Sequence, residues 1–143
     1  MVKDGKESGI AFMEKSDYQQ AIVEFNKSIE LEPLDHEAYN NRGEAYFKLG
    51  NYQQAREDFN KALIAINNGH KPNPGGFVGL AEINKRFNIQ FPRQSLEAKY
   101  YRNRGLAYEK LGNKNQATKD LKTAAMVGDQ EAQKYLLSKE MAW

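Results

Sequence analysis

The chain has 143 residues, of which 40% are hydrophobic and 28% are charged, a composition typical of a single folded domain spanning residues 1–143. Its 21 basic and 19 acidic residues give a net charge of +2, too balanced for strong attraction to nucleic acid or to a membrane surface. The lack of cysteine excludes a disulfide framework and a thiolate zinc site, and no apolar run reaches the about 18 residues of a membrane span. Because the N-terminus also lacks the pattern of a signal peptide, we expect a cytoplasmic protein.

Apolar residues spaced three and four apart indicate helices along most of the chain. Ser16, Asn51 and Asn113 each precede a glutamine by three residues, which is the pattern of a side-chain cap at a helix start. Gly50 and Gly112 stand just before two of these caps, where a left-handed residue ends the preceding helix. With no segment typical of a strand, the sequence predicts an all-α protein with eight helices, near 3–14, 18–31, 36–49, 52–66, 77–88, 96–111, 114–127 and 129–139.

One stretch of the sequence occurs twice. Tyr39–Ala55 and Tyr101–Ala117 are identical at 12 of 17 positions. A weaker copy precedes the first of these, with Phe25 at the position of Phe59, and it is offset by about 34 residues, a length typical of helical repeats. The sequence therefore contains three copies of two predicted helices each, at about 2–35, 36–69 and 98–131.

The copies share a small residue, aromatic residues and alanines at fixed positions. The second copy carries Gly43, Tyr46, Tyr52, Ala55, Phe59 and Ala62, and the first carries Gly9, Phe12, Tyr18, Ala21, Phe25, Ser28 and Pro33. The third keeps Gly105, Tyr108, Ala117 and Ala124 but has Lys114 and Leu121 at two aromatic positions. This pattern, with its 34-residue period, resembles the tetratricopeptide repeat. The resemblance implies a right-handed α-solenoid of three helix pairs, and a non-catalytic module for protein–protein interaction.

An additional segment separates the second and third copies. Many more residues lie between Gly43 and Gly105 than between Gly9 and Gly43. This insertion, at about 68–96, opens with turn residues and then carries apolar residues at helical spacing until Pro92. We expect an inserted helix at 77–88 that docks across the groove mouth or on the convex side of the solenoid, with a mobile loop as the alternative. The apolar residues that would dock are Phe77, Leu80, Ile83 and Phe87.

A last predicted helix, at about 129–140, follows the third copy. Asp129 is a suitable cap for its start. Because the final repeat of a solenoid needs a cover for its exposed face, we interpret this segment as a C-terminal capping helix. Tyr135 and Leu136 are expected to pack on the third copy near Leu121.

The sequence contains no motif for catalysis or metal binding. The two histidines, His36 and His70, are far apart and belong to no paired-ligand motif. The glycines of NPGGFVGL lack the spacing of a phosphate-binding loop, and no serine stands in the context of a catalytic nucleophile. We therefore expect no catalytic residue, no metal and no cofactor.

The first helix of each tetratricopeptide pair lines a concave groove, so the resemblance makes this groove the expected binding surface. The candidate peptide-binding residues are Lys6, Asn41, Glu44, Phe47, Lys99, Arg102 and Leu106. Other groove-facing positions are Ile10, Met13, Asn40, Lys48, Asn103 and Glu109. In this interpretation polar contacts surround apolar contacts from Phe47 and Leu106. The competing interpretation is a solvated face of mixed charge.

Some grooves of this family contain a carboxylate clamp, which holds the acidic C-terminal tail of heat-shock chaperones. Lys6, Asn41 and Lys99 match the clamp, whereas Ile10 replaces an expected asparagine and Asn103 an expected arginine. The resemblance to the tetratricopeptide repeat, with or without a clamp, leads us to expect a peptide or protein partner, whose identity the sequence does not give.

Self-association in a structural role is the second hypothesis. Exposed helix faces would then pair with another copy, through Tyr100, Tyr101 and the aromatic residues of the insertion. Nucleic-acid and membrane partners are not expected, because the net charge is only +2.

Overall fold

The computed structural model describes residues 5–68 and 92–142. All regular structure in these two ranges is helical, as the sequence predicts, and they contain no strand. The helices are α1 (Gly5–Glu14), α2 (Tyr18–Leu31), α3 (His36–Lys48), α4 (Tyr52–Asn68), α5 (Pro92–Lys110), α6 (Lys114–Met126) and α7 (Gln130–Ser138). The predicted inserted helix at 77–88 lies outside the described residues, as does His70.

The helices form a solenoid of pairs, which confirms the predicted fold class. α1 packs on α2, α3 on α4, and α5 on α6. Successive pairs meet where α2 contacts α3 and where α4 contacts α5, and α7 then packs on α6. The first helices of the pairs also touch, since α3 contacts both α1 and α5. These three helices therefore line one side of the molecule together.

The start of α5 differs from the prediction. The helix begins at Pro92, before the expected start near residue 96. Pro92, which the sequence pattern places at the end of the inserted segment, is the first residue of α5. Proline suits the first position of a helix, because the backbone N–H that it lacks would have no partner within the helix there.

The turn between α1 and α2 corrects the predicted cap at Ser16. The N-cap of α2 is Asp17, whose side chain accepts a hydrogen bond from the backbone N–H of Gln20 at 3.3 Å. Ser16 instead has a positive φ of 60°. Gly50 and Gly112, in the later turns, also have positive φ values, of 81° and 84°. Ser16 thus stands at the position of the turn glycines, and the serine must adopt the left-handed conformation that closes the turn.

Each helix pair closes where a glycine on its first helix faces a large side chain on its second. A Cβ atom added to Gly43 would lie 2.7 Å from the ring of Phe59, and one added to Gly105 would lie 3.0 Å from Leu121 Cγ. Both distances are shorter than the about 3.5–4.0 Å of a favourable carbon–carbon contact. The glycine and the large residue of the repeated motif are therefore two halves of one packing contact.

An arginine joins three helices at the junction of the first two pairs. Arg42 on α3 donates hydrogen bonds from Nε and Nη2 to the carboxylate of Asp58 on α4, at 2.8 and 2.7 Å. Its Nη1 atom donates to Asn26 Oδ1 on α2, at 2.9 Å. Asp58 is buried, and this fork of two parallel hydrogen bonds compensates its charge.

The same arrangement recurs at the junction of the second and third pairs. Arg104 on α5 donates to both oxygens of the buried Asp120 on α6, at 2.7 and 2.8 Å. Its Nη1 atom donates to Asn60 Oδ1 on α4, at 2.9 Å. Each arginine therefore connects its own pair to the second helix of the preceding pair.

Helix α7 covers the end of the third pair. Asp129 is its N-cap and accepts a hydrogen bond from the backbone N–H of Ala132 at 2.8 Å. Leu136 is fully buried in a cluster with Leu121, and the half-buried Tyr135 packs against the same cluster. The predicted packing of Tyr135 and Leu136 near Leu121 is confirmed.

Two adjacent leucines test how much α7 stabilises the fold. Leu136 is 0% exposed and Leu137 is 64% exposed. We expect Leu136→Ala to lower the free energy of unfolding by about 2–5 kcal/mol, because it leaves a cavity in the cluster. Leu137→Ala, the matched control, should change it by less than about 0.5 kcal/mol. Urea unfolding followed by circular dichroism measures both, and equal effects would show that α7 does not cover the core.

Two adjacent acidic residues test the arginine contacts. Asp58→Ala should destabilise the protein by about 3–5 kcal/mol, because it leaves the charge of Arg42 without its partner. Glu57→Ala removes an exposed carboxylate from the same helix and should cost less than about 1 kcal/mol. Thermal denaturation of the two variants under identical conditions provides the comparison. A similar loss in both would contradict the role assigned to Asp58.

Candidate functional site

A cavity of about 330 Å³ lies between the first helices of the three pairs. It brings together three of the predicted site residues, Glu44, Phe47 and Leu106. The other lining residues are Met13 from α1, Lys48 from α3, Asn103 from α5 and Phe59 from α4. We call this space the groove cavity. Its position agrees with the expectation that the first helices form the concave surface.

The apolar part of the groove cavity is held in place by the core beneath it. Phe59, which is buried, belongs to a core cluster against which Phe47 packs. The ring of Phe47 meets that of Tyr52 edge to face, with 5.1 Å between centroids. Met13 and Leu106 are half-buried beside it. The cavity therefore offers a preformed surface for an apolar side chain.

The polar part of the groove cavity centres on Glu44. Its Oε1 atom accepts hydrogen bonds from Asn40 Nδ2 at 3.3 Å and from Asn103 Nδ2 at 3.2 Å. Lys99 Nζ lies 3.6 Å from the same oxygen. Asn40 is buried and also accepts a hydrogen bond from Asn103 Nδ2 at 2.9 Å. The predicted site residues Glu44 and Lys99 thus form an ion pair at the edge of the cavity.

Lys6 lies outside the groove cavity, near the start of α3. Its Nζ atom is 3.1 Å from Asp35 Oδ2 and 3.5 Å from Glu37 Oε2. Burial alone would lower the pKa of Lys6, but the hydrogen bond and charge of Asp35, together with those of Glu37, raise it above its usual value. The ammonium charge of Lys6 is therefore compensated within the chain. Asn41 is half-buried on α3 and does not line the groove cavity.

Arg102 points towards α7. Its Nη1 atom donates to both oxygens of Asp129, at 2.8 and 3.0 Å. Arg102 also lines a second cavity, of about 550 Å³, with Leu106, Lys134 and Tyr135. This cavity shares Asn103 and Leu106 with the groove cavity, so the two form a continuous surface along α5. The guanidinium group of Arg102 joins the last pair to α7.

A third cavity, of about 410 Å³, lies between α7 and the third helix pair. The hydroxyl of Tyr135 donates a hydrogen bond to Glu109 Oε2 at its edge. Burial, with the hydrogen bond and the charge of Glu109, raises the pKa of Tyr135 to about 12. Leu136 and Met141 also line this cavity, so α7 and the residues after it form one of its walls.

Tyr100 is buried at 1% exposure, which corrects its assignment to a surface for self-association. It packs among Ala62, Leu63 and Ile66 of α4. Its hydroxyl lies 2.7 Å from His36 Nδ1 at the start of α3, as part of the protein interior. Burial, followed by the charge of nearby carboxylates, raises the pKa of Tyr100 above its usual value. Tyr101 is half-buried, and Arg104 lies over its ring at 5.4 Å.

Within residues 5–68 and 92–142, none of the helices combines the length and the apolar character that crossing a membrane requires. The same ranges contain no cluster of three or more His, Cys, Asp or Glu side chains arranged to bind a metal ion.

Paired helices stacked around a shared groove define the class of helical repeat proteins. Two segments of the chain, residues 36–64 and 98–127, match models of the tetratricopeptide repeat. The chain belongs to the tetratricopeptide repeat family. Members of this family are protein-interaction modules and not catalysts. No curated protein sequence matches the chain.

Solved tetratricopeptide domains share the fold. One is the second such domain of human RPAP3, in complex with the HSP70 peptide SGPTIEEVD. Its sequence is 21% identical, the alignment covers 97% of this chain and 94% of that domain, and the TM-score is 0.69. The first domain of Spaghetti (RPAP3), bound to the HSP90 peptide SRMEEVD, is 23% identical over 94% of this chain and 86% of its own, with a TM-score of 0.69. The N-terminal domain of stress-induced protein-1 from C. elegans is 21% identical over 95% and 91%, with a TM-score of 0.66.

Sequence reasoning did not find the contacts that orient the groove residues. The Asn-Arg-Gly run is visible in both later copies, but the acidic partner of each arginine lies 16 residues further on, in the second helix of its pair. The available signal was that Asp58 recurs at Asp120 with the same offset that relates Arg42 to Arg104. Lys6 and Arg102 occupy equivalent positions of the first and third copies, and each bonds to the aspartate that caps the helix two places further along, Asp35 or Asp129. The two spacings differ, at 29 and 27 residues, so these pairs gave no fixed offset that a search of the sequence could use.

Two cations of the predicted site differ in their role for stability. The side chain of Arg102 is 21% exposed and bonded to the cap residue of α7, whereas that of Lys99 is 41% exposed. Arg102→Ala should lower the free energy of unfolding by about 1–3 kcal/mol, because Asp129 loses its partner. Lys99→Ala should cost less than about 1 kcal/mol. Chemical denaturation distinguishes them, and the reverse order would contradict the assignment of Arg102 to α7.

Proposed function

We propose that this chain is a non-catalytic interaction module that binds a peptide or protein segment in the groove lined by α1, α3 and α5. The observation that carries the proposal is the groove cavity itself. Apolar side chains from three successive pairs, Met13, Phe47 and Leu106, meet there beside the polar group of Glu44 and Asn103. Preformed apolar cavities with a few fixed polar groups are the usual form of a binding site.

The solved relatives support the class of ligand. Two of them are tetratricopeptide domains bound to short peptides, SGPTIEEVD and SRMEEVD. Since this chain shares their fold and forms an apolar cavity between its first helices, a peptide segment is the proposed ligand here as well. The likeness concerns the fold, and the choice of peptide depends on the groove residues of this chain.

We propose that an apolar side chain of the partner enters the groove cavity, with polar contacts from Glu44, Asn103 and Lys99 around it. Burial of one large apolar side chain contributes roughly 1.5–3 kcal/mol, enough to act as an anchor. Lys6, Asn41 and Arg102 do not line the cavity and are proposed to contact the segment on either side of this anchor. Asn41 and Arg102 would extend the contact along α3 and towards α7.

Self-association remains the second hypothesis, with a different surface. Met126 at 74% exposure and Leu137 are large apolar side chains exposed near the C-terminal end of the described residues. Single exposed apolar side chains are common on monomeric proteins, so they give this hypothesis less support than the groove cavity gives peptide binding. Sedimentation equilibrium over a range of protein concentrations measures self-association directly.

Two methionines provide a test of groove binding. Short random peptides displayed on phage and selected on the wild-type protein should contain a large apolar residue, and their binding should fall on the order of tenfold with Met13→Asp, because the charge enters the groove cavity. Met126→Asp, the matched control outside the cavity, should leave binding unchanged. Fluorescence anisotropy with the selected peptides gives the affinities, and thermal melting confirms that both variants fold. If selected peptides bind all three proteins equally, the groove cavity is not the site.

A further inference from the structure

The donors at the clamp positions are already directed at carboxylates of the same chain. Asn103, where the clamp of related grooves has an arginine, donates to Glu44 at 3.2 Å, and Lys99 lies 3.6 Å from the same oxygen. Lys6 is bonded to Asp35 and lies close to Glu37. The positive charge at these positions is therefore balanced from within the protein.

Glu44 stands in the middle of this arrangement. It lines the groove cavity, and its side chain is 32% exposed, so it faces both the donors and the space for a ligand. Three donors approach its Oε1 atom, from Asn40, Asn103 and Lys99. Among the described residues, none donates a hydrogen bond to Oε2. The carboxylate thus leaves one oxygen to accept a hydrogen bond from a bound segment.

We propose that Glu44 determines the specificity of the groove: its carboxylate occupies the donors that an acidic ligand would need, so the groove accepts an uncharged, apolar-anchored segment and excludes an acidic one. This inference rests on the proposed function. The physical reason is repulsion between like charges, combined with competition for the same donors. A ligand carboxylate would have to displace Glu44 from Lys99 and Asn103 and would then lie close to it.

Replacement of one atom tests this role. Glu44→Gln keeps an acceptor for Asn40 and Asn103 but removes the negative charge, so Lys99 becomes available to a ligand carboxylate. Glu57→Gln, on an exposed position of α4, makes the same change in net charge away from the groove. The probe is the fluorescein-labelled peptide SRMEEVD, which one of the solved relatives binds. Its C-terminal amide serves as the second probe.

Fluorescence anisotropy should show that the wild-type protein and Glu57→Gln bind SRMEEVD weakly and alike. Glu44→Gln should bind it on the order of tenfold more tightly, with a gain that decreases with added salt and with the amidated peptide. Wild-type binding as tight as that of Glu44→Gln would overturn the inference while leaving peptide binding itself intact. Equal, weak binding by all three proteins would overturn it too, because Glu44 would then not be what excludes the acidic segment. The proposed function is tested separately, by whether binding of the phage-displayed peptides depends on Met13.

Discussion

The contacts of Arg42 and Arg104 join the two helices of each pair and link that pair to the one before it. Each guanidinium bonds a buried aspartate of its own pair and an asparagine of the preceding pair. Apolar packing alone is tolerant of small rotations, whereas two parallel hydrogen bonds to one carboxylate require a defined geometry. Because a buried ion pair adds little net stability compared with apolar packing, we expect it to contribute mainly to the relative orientation of the two helices within each pair. The arginines lie on α3 and α5, which are two of the three helices that line the groove.

The groove residues follow from the same geometry. Arg42 and Arg104 lie one residue before Gly43 and Gly105, so each arginine and the groove residues near it belong to the same two turns of helix. With the arginine turned towards the second helix, Glu44 and Asn103 are turned towards each other, and they meet across the gap between α3 and α5. The result is a groove with an apolar cavity and internally balanced charges.

Helix α7 packs on the third pair through apolar and ionic contacts together. Leu136 fills the surface that a further pair would cover, and Asp129 joins the start of α7 to Arg102. Asp129 has two roles, since it also caps the helix through the backbone N–H of Ala132. Arg102 is a candidate for ligand binding by its sequence position. Its ion pair with Asp129 reduces the positive charge that it presents to a ligand.

Most of the helices could be predicted from the amino-acid sequence alone. The spacing of Gly43 and Phe59, repeated along the chain, reflects a contact between neighbouring helices of one pair, so it is visible as a local period. Turn residues marked the helix ends, with two differences. Ser16 takes the place of a left-handed glycine instead of the cap, and α5 starts at Pro92, before the predicted start near residue 96, because a proline can begin a helix. The groove-facing positions were implied by the resemblance to the tetratricopeptide repeat, and the packing of Leu136 followed from the interpretation of the last segment as a capping helix.

The interactions of the groove-facing residues depend on contacts between helices that are distant in sequence. Lys6, Lys99 and Arg102 are three cations in the sequence, but each lies beside an acidic residue that comes from another helix or from the turn before one. Such partners are distant along the chain and recur at no fixed spacing, so nothing in the sequence pairs them. Tyr100 shows the same limit, since its burial against α4 depends on how the third pair stacks on the second. Local spacing specifies helices and their faces, whereas the charge that a groove presents to a ligand depends on contacts between distant residues.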